Sequence, residues 1–282
     1  MENCIICEGQ QFSFIYRDSL KKCNQCGHVA ANLNFSEEEF HKLYRKEYFK
    51  GEEYLDYVGD KRIIQKNFSA RFQKILKFTE LKQITNCLEI GCAYGFFAEI
   101  LLKQVQTKYV GLDVSEEAVA HGTVNSPNLK REDYLNYQSP DEKYTDVFMW
   151  DVIEHLKNPD RFIQKIYSEM DNRGRIYITT GDISAILPRI QGKNWRLIHP
   201  PTHVHYFSKE TLIKLLDRYG FKIVNLSYPP IYRSIKQIFY SLFLLNKKGN
   251  LLMRTLYQKL PVNAFLKLNT FDIMMVIAEK KV

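Results

Sequence analysis

The sequence contains no run of about eighteen consecutive apolar residues, so no bilayer-spanning helix is expected. Its opening residues, MENCIICEG, have neither a basic region nor an apolar stretch. No secretory signal is therefore expected, and a cytoplasmic location is. Internal repeats and low-complexity tracts are absent, which excludes solenoid arrays and long linkers. Acidic residues are scarce in one region: from Arg233 to Val282, two Asp/Glu stand against nine Lys/Arg. Most of the net charge of +8 therefore lies in the tail. Such a tail can meet an anionic membrane, nucleic acid or a phosphorylated substrate, or be a solvated basic face.

The chain has 282 residues, of which 45% are hydrophobic, enough for one sizeable core and a small appendage. Four of its six cysteines form two Cys-x-x-Cys pairs: Cys4 with Cys7, and Cys23 with Cys26. In a reducing compartment this spacing points to a closed, structural Zn²⁺ site of four thiolates rather than to disulfides. His28, just past the second pair, is read as a neighbour rather than a ligand. Cys87 is read as core and Cys92 as part of a turn.

Three regions follow from this: a zinc ribbon over 1–34, a helical segment over 35–80, and an α/β domain over 81–282. In the second region, Ser36 and Glu39 make a capping box before Phe40, Leu43 and Tyr44. A helix over about 60–78 presents Ile63, Ile64, Phe68, Phe72, Ile75 and Leu76 on its apolar face. In the third, strands are predicted at 86–90, 108–112, 145–150, 174–180, 221–227 and 271–279, with a weak one near 128–132. Helices alternate with them at about 95–104, 115–122, 159–170 and 208–219. This rhythm predicts a parallel sheet with helices on both faces and a final antiparallel strand. An insertion at about 230–268 carries Ile231, Ile235, Ile238, Leu242 and Leu245 at helical spacing. It reads as a basic amphipathic helix: a lid, a dimer face or a peripheral contact with the inner membrane surface.

The first strand runs into Glu89-Ile90-Gly91-Cys92-Ala93-Tyr94-Gly95. Glycines there allow a tight turn and close approach of a ligand to the backbone. A dinucleotide-binding turn would need a third glycine, and Phe96 holds its place. Asp113 ends the second strand in Gly-Leu-Asp-Val-Ser, where a carboxylate can accept both hydroxyls of a ribose. The pattern E-x-G-x-x-x-G followed by GLDVS resembles the class I methyltransferases that use S-adenosylmethionine (SAM). The resemblance implies a seven-stranded Rossmann-like sheet. It also places Glu89 near the methionine end, has the Gly91–Gly95 turn shape the pocket, and puts Asp113, with Val114 beside it, on the ribose. Asp133 would face the adenine amino group. Trp150 and Asp151 open a D-V-x-E-H-L segment that would line the methyl-donor pocket.

A methyl transfer also needs an acceptor deprotonated, and two histidines are candidates as base. His155 lies in the E-H-L segment. His203 lies in Thr202-His203-Val204-His205-Tyr206-Phe207-Ser208, which is similar to a segment of sugar and surface-polysaccharide methyltransferases, although Thr202 replaces the usual Glu. Asp151, Glu154 and His155 are also similar to the metal-binding E-x-x-E-H of ubiquinone-pathway O-methyltransferases. Tyr44, Tyr48, Tyr54 and Tyr57 are similar to a segment that closes over the cofactor in the sugar-type relatives, and are read either that way or as helix packing. Trp195 is read either as a sugar platform or as core.

The expected activity is SAM-dependent methyl transfer to a small-molecule acceptor of sugar type. The alternatives are a zinc-ribbon RNA methyltransferase and a non-catalytic module that has kept the fold. Nucleic acid is not the expected partner, because the ribbon is not strongly basic and no Asn-Pro-Pro-Phe/Tyr motif occurs.

Overall fold

The computed structural model describes residues 3–33, 57–124, 126, 128–240, 251–261 and 264–282. The Ser36–Glu39 capping box, Phe40, Leu43 and the tyrosines 44, 48 and 54 lie outside the described residues.

The ribbon consists of β1 (Phe12–Ile15), β2 (Leu20–Cys23) and β3 (Val29–Ala31). Helix α1 (Lys61–Ile75) follows and buries Ile63, Phe68, Phe72 and Ile75, the face its spacing predicts. Then come β4 (Asn86–Ile90), α2 (Phe96–Gln104), β5 (Lys108–Asp113), α3 (Glu116–Gly122), β6 (Leu129–Arg131) and β7 (Tyr144–Trp150). After a 3-10 turn at Ile153–His155 come α4 (Pro159–Glu169), β8 (Met170–Gly181), α5 (Ile186–Gln191), β9 (His205–Tyr206), α6 (Lys209–Arg218) and β10 (Phe221–Ser227). The chain continues through β11 (Ile231–Ser234), α7 (Ile235–Phe239), α8 (Leu251–Lys259), β12 (Phe265–Leu268) and β13 (Ile273–Lys280).

The main sheet has seven strands in the order β10-β13-β8-β7-β4-β5-β6. β4 to β8 pair in parallel, and β13 slots antiparallel between β8 and β10, as expected of the last strand. Alternate residues of each strand point to opposite faces, so the sheet sustains two cores. On one face Leu88, Ile90, Val147, Met149, Ile176 and Val276 pack against Phe162, Ile163, Ile166, Leu212, Leu215 and Leu216 of α4 and α6. On the other, Cys87, Phe148, Tyr177 and Ile277 pack against Phe68, Phe72, Ile75, Phe97 and Leu101 of α1 and α2.

Two pairings are not visible in the sequence. β9 is the fourth strand of the ribbon sheet, with Val29 opposite Tyr206 and Ala30 opposite His205. The histidine segment is therefore bonded to the ribbon, and Cys4, Ile6 and Cys23 are continuous with the α6 side of the core. The insertion also differs from the single helix expected. Ile231 begins a strand that pairs with β12, and Ser234 ends that strand and caps α7. Residues 241–250, including Leu242 and Leu245, lie outside the described residues. Asn67 of α1 holds β11 by bonding both backbone groups of Tyr232: it accepts from the N–H at 2.7 Å and donates to the carbonyl at 3.0 Å. A side-chain amide thus completes the strand edge, which helical periodicity cannot reveal. Among the described residues, no helix is long and apolar enough to cross a membrane.

Candidate active site

Parallel strands leave their carboxyl ends, and the loops that follow them, around one crevice. A cavity of about 340 Å³ lies there, bounded by Gly91, Ala93, Asp113, Val114, Asp133, Trp150, Asp151 and His155, with Tyr57 contributed from before α1. Gly91 and Gly95 have φ of 74° and 69°, a region that disfavours side chains. A Cβ on Gly91 would stand 2.4 Å from Cγ2 of Val152. Ala93 takes a left-handed conformation too, with φ 45°, and its N–H donates to Asp113 Oδ2 at 2.8 Å. Asp113 Oδ1 accepts from the N–H of Ser115 at 2.8 Å. One carboxylate therefore ties the β4 turn to the start of α3. Each of its oxygens keeps acceptor capacity for a ligand. Burial pushes the Asp113 carboxyl upward, opposed by the N–H groups of Ser115, Ala93 and Val114.

Four residues expected at the cofactor do not line the cavity. Glu89 lies on the sheet face covered by α1 and α2, where it accepts from the Tyr109 hydroxyl, and it does not line the cavity as its expected methionine-end position would require. Burial pushes its carboxyl up to about 8, and the negative Asp113 adds to this while the Tyr109 hydroxyl opposes it. Cys92 is buried under the turn, and Tyr94 stacks on Tyr57 at 5.2 Å between ring centroids. Gly95 closes the turn behind the wall as the N-cap of α2.

Beyond β7, Asp151 has φ 56° and is held there by its N–H, which donates to the Thr179 carbonyl at 3.0 Å. Its carboxylate pairs with Arg71 at 2.9 Å, and the Arg71 guanidinium lies 5.6 Å from the Trp150 ring centre. The Trp150 indole N–H has no partner among the described residues. The sequence reading missed Arg71, because a cation on the apolar face of α1 breaks the pattern used to find that face. It also missed Asn136, Lys157, Asn158 and Arg161, which line the far side of the cavity. These are common loop and helix residues with no local signature.

His155 lines the cavity, and its Nδ1–H donates to the Thr202 carbonyl at 2.9 Å. A carbonyl can only accept, so in the neutral ring Nε2 carries the lone pair. His203 lies behind His155, with ring centroids 4.4 Å apart, and does not line the cavity. Its Nδ1–H donates to the Leu197 carbonyl at 2.9 Å. Ligand atoms of Glu154, His155 and His203 lie within 4.8 Å of one another. Asp151, expected in such a group, is engaged by Arg71 instead. Trp195 is core rather than a sugar platform: it is 2% exposed, and its Nε1–H donates to Asp272 at 2.8 Å.

The four ribbon cysteines bring their sulfurs within 4.8 Å of one another, with Cys4–Cys26 at 3.5 Å and Cys7–Cys23 at 3.6 Å. Four thiolates about 2.3 Å from a tetrahedral ion would stand about 3.8 Å apart, so the cluster could hold a zinc ion. Gly27, at φ 77°, and the bond from its N–H to the Cys23 carbonyl close the second knuckle.

Solved structures share this fold. A SAM-dependent methyltransferase from Archaeoglobus fulgidus is 20% identical at a TM-score of 0.55, over 80% of this chain and 100% of that one. The [4+2]-cyclase SpnF is 18% identical at 0.52, over 76% and 82%. Since the fold serves a cyclase as well, it does not by itself fix the reaction. The mitochondrial ubiquinone biosynthesis O-methyltransferase of Dictyostelium discoideum is 26% identical over 48% of this chain and 47% of its own length. Malonyl-[acyl-carrier protein] O-methyltransferase 1 of Ilyobacter polytropus is 31% identical over 35% of this chain and 39% of its own length. The chain thus spans less than half the length of these curated relatives. A family model described as a methyltransferase domain matches residues 61–226, more than half of the sequence. That stretch carries the glycine turn, Asp113 and the Asp151–His155 segment, and by it the chain belongs to the methyltransferase-domain family.

Proposed function

We propose that this protein is a SAM-dependent methyltransferase acting on an oxygen of a small, sugar-type acceptor, nucleotide- or lipid-linked. One observation carries the reading: the Asp113 carboxylate, the left-handed turn at Gly91 and Ala93, and His155 bound a single cavity. The cofactor, when bound, supplies an electrophilic methyl group. Asp113 accepts the ribose hydroxyls, Asp133 faces the adenine, and Trp150 and Asp151 border the donor end. His155 takes the acceptor proton at Nε2. His203 packs against His155 and keeps its ring in place.

Names of the relatives favour oxygen as the acceptor atom, since both are O-methyltransferases. Lys157 and Arg161 on the cavity wall suit the phosphates of a nucleotide or lipid carrier. Cys4, Cys7, Cys23 and Cys26 hold a structural zinc ion, a reading supported by their paired spacing and the closeness of their sulfurs. The residues 231–268 offer a further basic contact, for a membrane surface or a second copy.

The test is calorimetric titration with SAM, followed by methyl transfer from labelled SAM to nucleotide-sugars. His155→Gln should reduce turnover about 100-fold with SAM affinity unchanged. An RNA methyltransferase would instead bind RNA with a steep salt dependence. Failure to bind SAM would leave the non-catalytic alternative.

A further inference from the structure

We infer that His28 and His205 form a positioning relay through which the cysteine ribbon sets the cavity loop 155–158. This rests on the proposed SAM site. His28 follows Cys26 by two residues and is buried at the seam between ribbon and α/β domain. Its Nε2 lies 3.1 Å from Nδ1 of His205, and the two rings meet edge to edge, with centroids 5.3 Å and planes 27° apart. His205 Nε2 lies 3.3 Å from the Lys157 carbonyl. The carbonyl end fixes the direction of the whole chain. His205 must donate there from Nε2, so its Nδ1 accepts, and His28 must donate from its own Nε2.

Backbone bonds run alongside. The N–H of Ala31 donates to the Val204 carbonyl at 2.8 Å, and the N–H of Val204 donates to the Glu154 carbonyl at 2.9 Å. At the far end lie His155, Leu156, Lys157 and Asn158, all on the cavity wall. The backbone bonds hold the Glu154 end of the loop, and the carbonyl–imidazole bond aims its Lys157 end while the imidazole is held by His28, whose own carbonyl accepts from the Cys23 N–H at 2.8 Å. Neither histidine touches the cavity, so both are positioning residues.

The test uses the full zinc-loaded chain and compares wild type, His28→Leu, His28→Gln, His205→Leu and the double Leu variant. Zinc content, SAM affinity by calorimetry, and amide hydrogen exchange at residues 155–158 without SAM are measured. Expected for His28→Leu are unchanged zinc stoichiometry, exchange at 155–158 at least about tenfold faster, and SAM affinity about tenfold weaker. The double variant should be no worse than either single one, because both cut the same path. Gln, which restores an N–H donor, should recover most of the loss. If His28→Leu does not fold, His205→Leu, which cuts the same path at its other link, takes its place, and His28→Gln should still exchange at 155–158 nearly as wild type does. Unchanged exchange in both singles, or additive losses in the double, would overturn the relay. Lack of SAM binding by wild type would overturn the proposed function instead, and exchange at 155–158 would still decide the relay.

Discussion

The guanidinium of Arg71 meets the carboxylate of Asp151 at 2.9 Å, joining α1 to the loop that leaves β7. The pair is unequal: the Arg71 side chain is 9% exposed and that of Asp151 is 36% exposed. A buried cation suffers more from losing its partner than a half-exposed carboxylate does. Asp151→Asn should therefore destabilise the fold by about 1–3 kcal/mol, discounted for solvent at the carboxylate. Arg71→Met, which keeps the packing stem, should cost less. Urea unfolding of both variants checks the order, and the reverse order would refute this account of the pair.

Gly91 carries two independent constraints: its φ of 74°, and the 2.4 Å that would separate an added Cβ from Val152. Gly91→Ala should cost about 1–3 kcal/mol from crowding, plus about 1 kcal/mol from the backbone. Adding Val152→Ala should recover the crowding part only. Full recovery in thermal unfolding would mean the backbone conformation is not strained for alanine.

Asp113 binds two backbone N–H groups and borders the cavity. Asp113→Ala should weaken SAM binding at least about 100-fold, since ribose hydroxyls and the Ala93 N–H lose their acceptor together. Calorimetry with unchanged affinity would remove Asp113 from the ribose.

Glu89 gives a pH dependence with a defined sign. Its carboxyl is pushed up to about 8 in the fold, chiefly by burial, whereas an unfolded chain releases that proton near about 4.3. Between these values the folded protein holds a proton that the unfolded one has lost, so stability falls as pH rises. The contribution is complete below the lower value and gone above the upper one. Glu89→Gln should flatten this slope. Unfolding measured at pH 5 and pH 8 should show wild type losing stability relative to the variant, and parallel losses in the two would contradict the shift.

Much of this protein is legible in its sequence because the signals are local. A short apolar run places β4 at its observed bounds, and helical spacing places α1 within a few residues of its own. The Gly91–Gly95 turn and Asp113 are legible because each needs a particular residue type at a particular position. Paired cysteine spacing shows the ribbon framework for the same reason.

Tertiary structure decided what depends on partners distant in the chain. Glu89 and Asp113 look alike in sequence, yet one meets the Tyr109 hydroxyl under α1 and α2 and the other borders the cavity. His155 and His203 are both candidate bases in sequence, and the fold sets one on the wall and the other behind it. Trp195 becomes core only when Asp272, 77 residues away, meets its indole. The two residues of β9 are too short to show alternation, and they form a strand because β3 offers an edge. Periodicity and spacing report the geometry of one segment, whereas burial, pairing and access to the cavity belong to segments brought together by folding.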